Sequence, residues 1–462
     1  MHDSKGLAAP IDPPRGSKSL QVGLLALGCA ALALAVPFLG NPWLYALAAL
    51  LLACFLLPVW NDLQLGRLDP FETIHVMGLR YFAFFGLGAV WTFQNPGDVA
   101  YDKYIPPYLL PATFYCVIGY FALLFAYYAP PFRRDAAPAV EERPNGIVFT
   151  LIPGAIGLLG SMAAALWNWA AWAGIALSGA VSALGQLTPL YHFAWALCWL
   201  LVFSRSTSRP QRLALLAFFL PASVLIVAST LTDKSLAMTI AGTPLAALWY
   251  ARGKLPWKTL CALLLVLIFV IFPFFNTFRL FDPRIPLSNR IEMTTRVIRT
   301  WDLEAYLAQS ATAVQRRLAL INSVAVVVRD TPRWVPYAEG STLFLPAIAY
   351  FIPRAIWPDK PRFTLGREFG ETFRVIHILD EKSSIAATVP GELYWNFDFP
   401  GIVVGMAVWG AAMRFFYVRY GQAHGQDPVR RAIHILLLIQ FVHFGGGLAA
   451  QSVLLLRTLI LL

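Results

Sequence analysis

Long apolar runs alternate with short polar connections over residues 21–277 and again after residue 397. The runs are rich in Leu, Ala, Val and Phe and are continuous, which favours helices over strands. About 20 such residues are needed for a helix to cross a bilayer. The predicted spans are 21–39, 43–60, 73–94, 107–128, 147–167, 185–204, 212–231, 235–251, 257–277, 397–418 and 431–450. The last apolar piece, 452–462, forms either a twelfth span or part of a hairpin. We therefore predict an all-α, polytopic membrane helix bundle of 11–12 spans.

Composition supports this class of protein. Hydrophobic residues make up 58% of the chain and charged residues only 13%, which excludes an ordinary soluble protein. The net charge of +11 fits cytoplasmic Lys and Arg plus sites for anionic ligands in a membrane protein, so we predict no nucleic-acid partner.

The polar connections form two alternating sets, one rich in Lys and Arg and one nearly devoid of them. The rich set is expected to face the cytoplasm. Residues 1–20 then form a cytoplasmic tail, 21–277 a bundle of nine spans, 278–396 an extracytoplasmic loop, and 397–462 the C-terminal spans. The cations of the rich set are Arg67, Arg133, Arg134, Arg143, Arg205, Arg209, Arg212, Arg252, Lys254, Lys258, Arg419, Arg430 and Arg431.

The loop of 119 residues carries 15 Lys or Arg and 12 Asp or Glu residues. Residues 302–330 have apolar positions at helical spacing, with Asp302 as the N-cap. Arg317 falls on that apolar stripe. It is either a snorkelling or ion-paired structural residue, or a cation directed into a ligand cavity.

Residues 341–357 are apolar but too short for a span, and Pro346 and Pro353 interrupt them. We predict a re-entrant or interfacial segment with Arg354 and Trp357 at the membrane surface. The alternative is a plain amphipathic anchor.

Two motifs follow one another in this loop, Ile352-Pro-Arg-Ala-Ile-Trp-Pro-Asp-Lys-Pro361 and Pro390-Gly-Glu-Leu-Tyr-Trp-Asn-Phe397. With Arg317 and the Arg333-Trp-Val-Pro-Tyr run before them, they resemble the loop of Wzy-type oligosaccharide repeat-unit polymerases. The resemblance covers roughly residues 310–410. It departs from the family at Asn396-Phe-Asp398, where Asn-Phe-Gly is expected.

The resemblance implies a metal-independent, C-type glycosyltransferase of the bacterial inner membrane, without a cofactor. Such an enzyme moves a growing glycan from undecaprenyl diphosphate to the next lipid-linked repeat unit on the periplasmic face. The implied partners are that lipid-linked oligosaccharide, a chain-length regulator and a repeat-unit flippase.

The chemistry assigns roles to loop residues. Guanidinium and ammonium groups suit a lipid-diphosphate leaving group. Glu392 is the best placed carboxylate to orient or deprotonate the acceptor hydroxyl, unless it pairs with a loop arginine. The predicted catalytic residues are Arg317, Arg354 and Glu392. The predicted diphosphate ligands are Arg279, Arg317, Arg354 and Lys360, and the predicted sugar contacts are Trp357, Tyr394, Trp395 and Asn396.

Two alternatives remain open. A glycan ligase of the O-antigen-ligase type would use the same donor diphosphate. A flippase or transporter would concentrate ionisable residues near span centres, whereas here they concentrate in one loop. His75 and His192 are isolated in the sequence and are predicted to be core or interface residues.

Overall fold

The apolar runs form helices close to the predicted bounds. The computed structural model describes residues 41–96, 105–129, 146–172, 175, 177, 179–229, 234–278, 280–281, 285–351, 357, 365–376, 384–385, 387–422, 427–443 and 447–462. The predicted first span, 21–39, lies outside these residues. The described part of the chain contains no strand.

Seventeen helices are described, and three of them include a π-helical turn. They are α1 (Pro42–Gln64), α2 (Thr73–Gln94), α3 (Pro106–Tyr128), α4 (Gly146–Trp172), α5 (Gly179–Gly185), α6 (Thr188–Phe203), α7 (Arg209–Ser229), α8 (Lys234–Arg252), α9 (Trp257–Phe278), α10 (Leu287–Arg299), α11 (Leu303–Leu318), α12 (Ile321–Asp330), α13 (Ser341–Phe351), α14 (Leu365–Thr372), α15 (Val389–Gly421), α16 (Pro428–Val442) and α17 (Leu448–Leu461). Eight stretches of the described residues are long and apolar enough to cross a membrane: α1, α2, α3, α4, α5 with α6, α7, α9 and α15. The protein is therefore an all-α, polytopic membrane helix bundle.

The main core lies where α3 and α15 pack along each other. Their backbones approach closely at Gly410, where a Cβ atom would lie 2.3 Å from the Leu123 carbonyl oxygen. A small residue permits this contact, as in other membrane helix pairs. Large apolar side chains on the outer faces remain exposed, such as Phe125 at 79%. Such a distribution fits a bundle with lipid as its outer solvent.

At one end of the bundle, the turn between α1 and α2 contacts three helix ends, those of α3, α8 and α15. Helix α16 also packs there. The Tyr127 hydroxyl donates to Glu72 at 2.8 Å, and the Tyr250 hydroxyl donates to Asp69 at 3.0 Å. His434 Nε2 lies 3.2 Å from the Phe71 carbonyl oxygen. Several of the arginine-rich connections thus meet at one end, as the alternation predicts. The compartment that this end faces remains a prediction.

The structure divides the predicted helix 302–330 into α11 and α12. Asp302 is the N-cap of α11, as predicted, and accepts from the backbone N–H of Ala305 at 2.8 Å. The helix ends at Leu318, and α12 then packs between α3 and α15. Most residues of α12 are buried, including the polar Asn322 and Ser323, so this helix lies in the core and does not follow the stripe of α11 along the surface.

The C-terminal spans also differ from their predicted bounds. The predicted span 431–450 is divided between α16 and α17, and Gly447 precedes α17 with a φ of +80° that favours glycine. Helix α15 begins at Val389, before the predicted start at residue 397. Its backbone is non-helical at Phe397 and Asp398, so the predicted start coincides with a kink within a longer helix.

Candidate functional site

Glu392 lies in the first turn of α15 and has no exposed surface. Its Oε1 accepts a hydrogen bond from the Thr342 hydroxyl at 3.0 Å, and its Oε2 accepts from the backbone N–H of Ala449 at 3.2 Å. Ala449 is in the first turn of α17, where free N–H groups and the helix dipole favour a carboxylate. No ion pair joins Glu392 to any arginine among the described residues. Glu392 therefore links three helices, α13, α15 and α17.

Asn396 completes this set of contacts, one helical turn after Glu392. Its amide nitrogen donates to the Thr342 hydroxyl and to the Glu392 carbonyl oxygen, both at 2.7 Å. Its Oδ1 accepts from the backbone N–H of Gly340 at 2.8 Å. We call Glu392, Asn396, Thr342 and the N-terminus of α17 the Glu392 network. The network fixes the start of α13, the helix that leads directly into the segment 352–361.

A second group, the tyrosine cluster, consists of Tyr115, Tyr337, Tyr394 and Asp398. The rings of Tyr115 and Tyr394 stack with centroids 5.4 Å apart. The hydroxyls of Tyr337 and Tyr394 lie close enough to the Asp398 carboxylate to interact with it electrostatically. Burial and the nearby Asp398 carboxylate raise the pKa of Tyr337 to about 12, so its hydroxyl remains neutral.

Asp398 occupies a backbone conformation that side chains rarely adopt, with φ 58° and ψ −159°. Its Oδ1 accepts from the following N–H, of Phe399, at 2.7 Å. Glycine suits this position best, which is the residue that the resemblance leads one to expect there.

The three sugar contacts predicted on α15 are all buried. Trp395 is 5% exposed and packs edge-on against Phe373, with ring centroids 5.1 Å apart. Tyr394 faces Tyr115, and Asn396 uses its amide within the Glu392 network. None of them offers a free ring face or amide to a sugar in this conformation. Tyr337 is half-buried and is therefore more accessible than Tyr394 and Trp395.

The predicted cations are only partly described. Arg317 is half-buried near the end of α11, and its guanidinium lies 6.0 Å from the centre of the Phe272 ring on α9. Arg279, Arg354 and Lys360 lie outside the described residues. Trp357 is described as half-buried. Of the four predicted cations the structure therefore places only Arg317, which lies beside α9.

Sequence reasoning did not identify Thr342, Tyr337 or Asp398 as members of these clusters. The sequence marked Asp398 only as a departure from the expected Asn-Phe-Gly, and Tyr337 only as the last residue of the Arg333-Trp-Val-Pro-Tyr run. Thr342 and Tyr337 meet α15 across 50 or more residues of chain, so no local pattern indicates their contacts.

No family model, no curated protein and no solved structure matches this chain. The likeness to Wzy-type polymerases therefore remains a resemblance of motifs.

Proposed function

We propose that this protein is a membrane glycan polymerase, which transfers a growing glycan from a polyprenyl diphosphate to the next lipid-linked repeat unit. The observation that carries the proposal is the Glu392 network. It anchors α13 to α15 and α17 immediately before the cationic, proline-rich segment 352–361. A connection between two spans does not require such an anchor, whereas a site for a charged reaction requires a rigid support.

In this reaction the acceptor hydroxyl attacks the anomeric carbon of the donor sugar. The bond from that carbon to the diphosphate breaks, the hydroxyl proton is released, and the lipid diphosphate leaves. Guanidinium forks stabilise the charge that develops on the diphosphate. We assign this role to Arg354, with Lys360, Arg317 and Arg279 as further cations.

We assign Glu392 a positioning role. Its lack of exposed surface and its two occupied oxygens favour support of α13 over direct contact with an acceptor sugar. Tyr337 and the exposed Trp334, which lies under the Arg333 guanidinium at 5.2 Å, are the aromatic surfaces nearest in sequence to α13 that a sugar could reach.

The resemblance also supports a location in the bacterial inner membrane, and the alternation of cationic connections favours a cytoplasmic position for the end that contains Arg67. Cysteine labelling tests this orientation. A membrane-impermeant thiol reagent added to intact spheroplasts should label a cysteine at Trp334 and spare one at Arg67. The reverse pattern would overturn the orientation and, with it, the proposed periplasmic site.

Deletion of the gene tests the function. We expect the cell to display glycan with single repeat units only, because flipping and ligation continue without polymerisation. Full-length polymer that accumulates on its lipid carrier would instead identify a ligase. Loss of all outward-facing lipid-linked units would identify a flippase.

A further inference from the structure

Three buried side chains at the opposite end of α15 converge although they are separated in sequence. Asp62 lies near the end of α1, Glu72 directly precedes α2, and His75 lies in the first turn of α2. One ligand atom from each lies within 4.8 Å of the others. His75, which the sequence presents as isolated, is 4% exposed and faces both carboxylates.

The hydrogen bond of His75 defines which ring nitrogen faces the cluster. Nδ1 lies 2.7 Å from the Asp69 carbonyl oxygen, which can only accept, so Nδ1 carries a proton. Nε2 has no hydrogen-bond partner and lies 3.4 Å from Asp62 Oδ2. A ring nitrogen held in this way by a backbone carbonyl is the usual arrangement of a histidine that ligates a metal. If the ring is neutral, Nε2 directs a lone pair at this carboxylate oxygen, which is repulsive unless a cation lies between them.

Both carboxylates are oriented from outside the cluster. Arg67 Nε binds Asp62 Oδ1 at 2.7 Å. Glu72 Oε1 accepts from the Tyr127 hydroxyl at 2.8 Å and lies 3.5 Å from Arg414 Nη1. These contacts leave Asp62 Oδ2 directed toward His75. Two carboxylates and one imidazole, each supported by a second group, match the ligands of zinc and manganese ions.

We propose that Asp62, Glu72 and His75 bind one divalent transition-metal ion of the zinc or manganese class. Tetrahedral ligands at about 2.1 Å from the ion stand about 3.4 Å apart, so a pair of ligand atoms at the 4.8 Å limit must close by about 1.4 Å. The ion would hold the α1–α2 turn against α3 and α15, through Tyr127 and Arg414. It lies apart from the Glu392 network: Arg414 stands about 22 Å along the helix from Phe399, after the break at Phe397 and Asp398, whereas Glu392 precedes that break.

Metal analysis of the full-length protein tests the proposal independently of any enzymatic activity. The protein is purified in detergent with a tag that contains no histidine, incubated with Zn²⁺ or Mn²⁺, and dialysed. We expect about one ion per chain by plasma mass spectrometry, and a lower Tm after treatment with a chelator that added Zn²⁺ or Mn²⁺ reverses.

Asp62→Asn and His75→Gln each remove one ligand and should reduce the bound metal at least tenfold. Asp69→Asn is the matched control, because its side chain accepts from Tyr250 and only its backbone carbonyl contacts His75. It should keep the metal.

A wild-type protein that binds neither ion and shows no shift in Tm would overturn the proposal. His75 would then be an imidazolium paired with Asp62. Equal loss of metal from the Asp69→Asn control would overturn it as well, because the ion would not depend on these three side chains in particular. If a ligand variant does not fold, the wild-type measurements alone decide.

Discussion

Glu392→Gln distinguishes a positioning residue from a general base. The substitution removes the ionisable carboxyl group and keeps the shape. Its amide oxygen can accept from the Ala449 N–H, and its amide nitrogen can donate to the Thr342 hydroxyl. Thr342 already accepts from Asn396, and its oxygen has a second lone pair for this contact. The network can therefore persist with Gln.

The expected losses of stability and of reaction rate differ between the two roles. A hydrogen bond to a charged group contributes about 1.5–3 kcal/mol and a neutral one about 0.5–1.5, so Gln should lower the unfolding free energy by roughly 1–2 kcal/mol. For a positioning residue we expect glycan synthesis within about tenfold of wild type. Loss of a general base would instead reduce the rate by about 10²–10⁴.

Glu392→Ala extends the comparison. It leaves the Thr342 hydroxyl and the Ala449 N–H without their partner, at about 1–3 kcal/mol each for buried groups. We expect a clear fall in Tm and loss of the polymer, because α13 is no longer anchored. Glu371→Gln is the matched control, since Glu371 is exposed and pairs only with Arg367.

The assay measures glycan chain length in a deletion strain that carries each variant at equal protein level. Tryptophan fluorescence reports the Tm of each purified variant. Single repeat units from Glu392→Gln, with normal protein level and a Tm close to that of wild type, would refute the positioning role. They would restore Glu392 as the base.

Three further predictions concern charge and backbone conformation. Arg354→Lys should shorten the glycan severely, because lysine lacks the planar fork that binds a diphosphate, whereas the exposed Arg296→Lys should not; wild-type chain lengths with Lys at position 354 would exclude the diphosphate role. Asp398→Gly should preserve the polymer and give a higher Tm than Asp398→Val, since the positive φ costs a β-branched residue about 1–3 kcal/mol; the opposite order of Tm would contradict the strain. Gly447→Ala should lower the Tm, because its φ of +80° costs alanine about 1–2 kcal/mol, whereas Gly242→Ala, in open space within α8, should raise it slightly; equal effects would contradict this account.

The amino-acid sequence by itself determined the helices and their apolar outer faces. A run of about 20 apolar residues satisfies its own backbone hydrogen bonds only as a helix in lipid, so length and composition suffice. The N-cap of α11 at Asp302 is equally local, because its partner, the N–H of Ala305, lies three residues away. The alternation of arginine-rich connections also indicated that several helix ends lie together.

Only the tertiary structure decided which polar groups meet. Glu392 receives its donors from residues 50 and 57 positions away in the chain. Helix α12 is buried because it packs against α3 and α15, and its sequence by itself does not specify these two neighbours. His75 joins Asp62 and Glu72 because the α1–α2 turn folds back beside Arg414. Contacts of this kind depend on the packing of distant helices, and periodicity in the sequence carries no information about them.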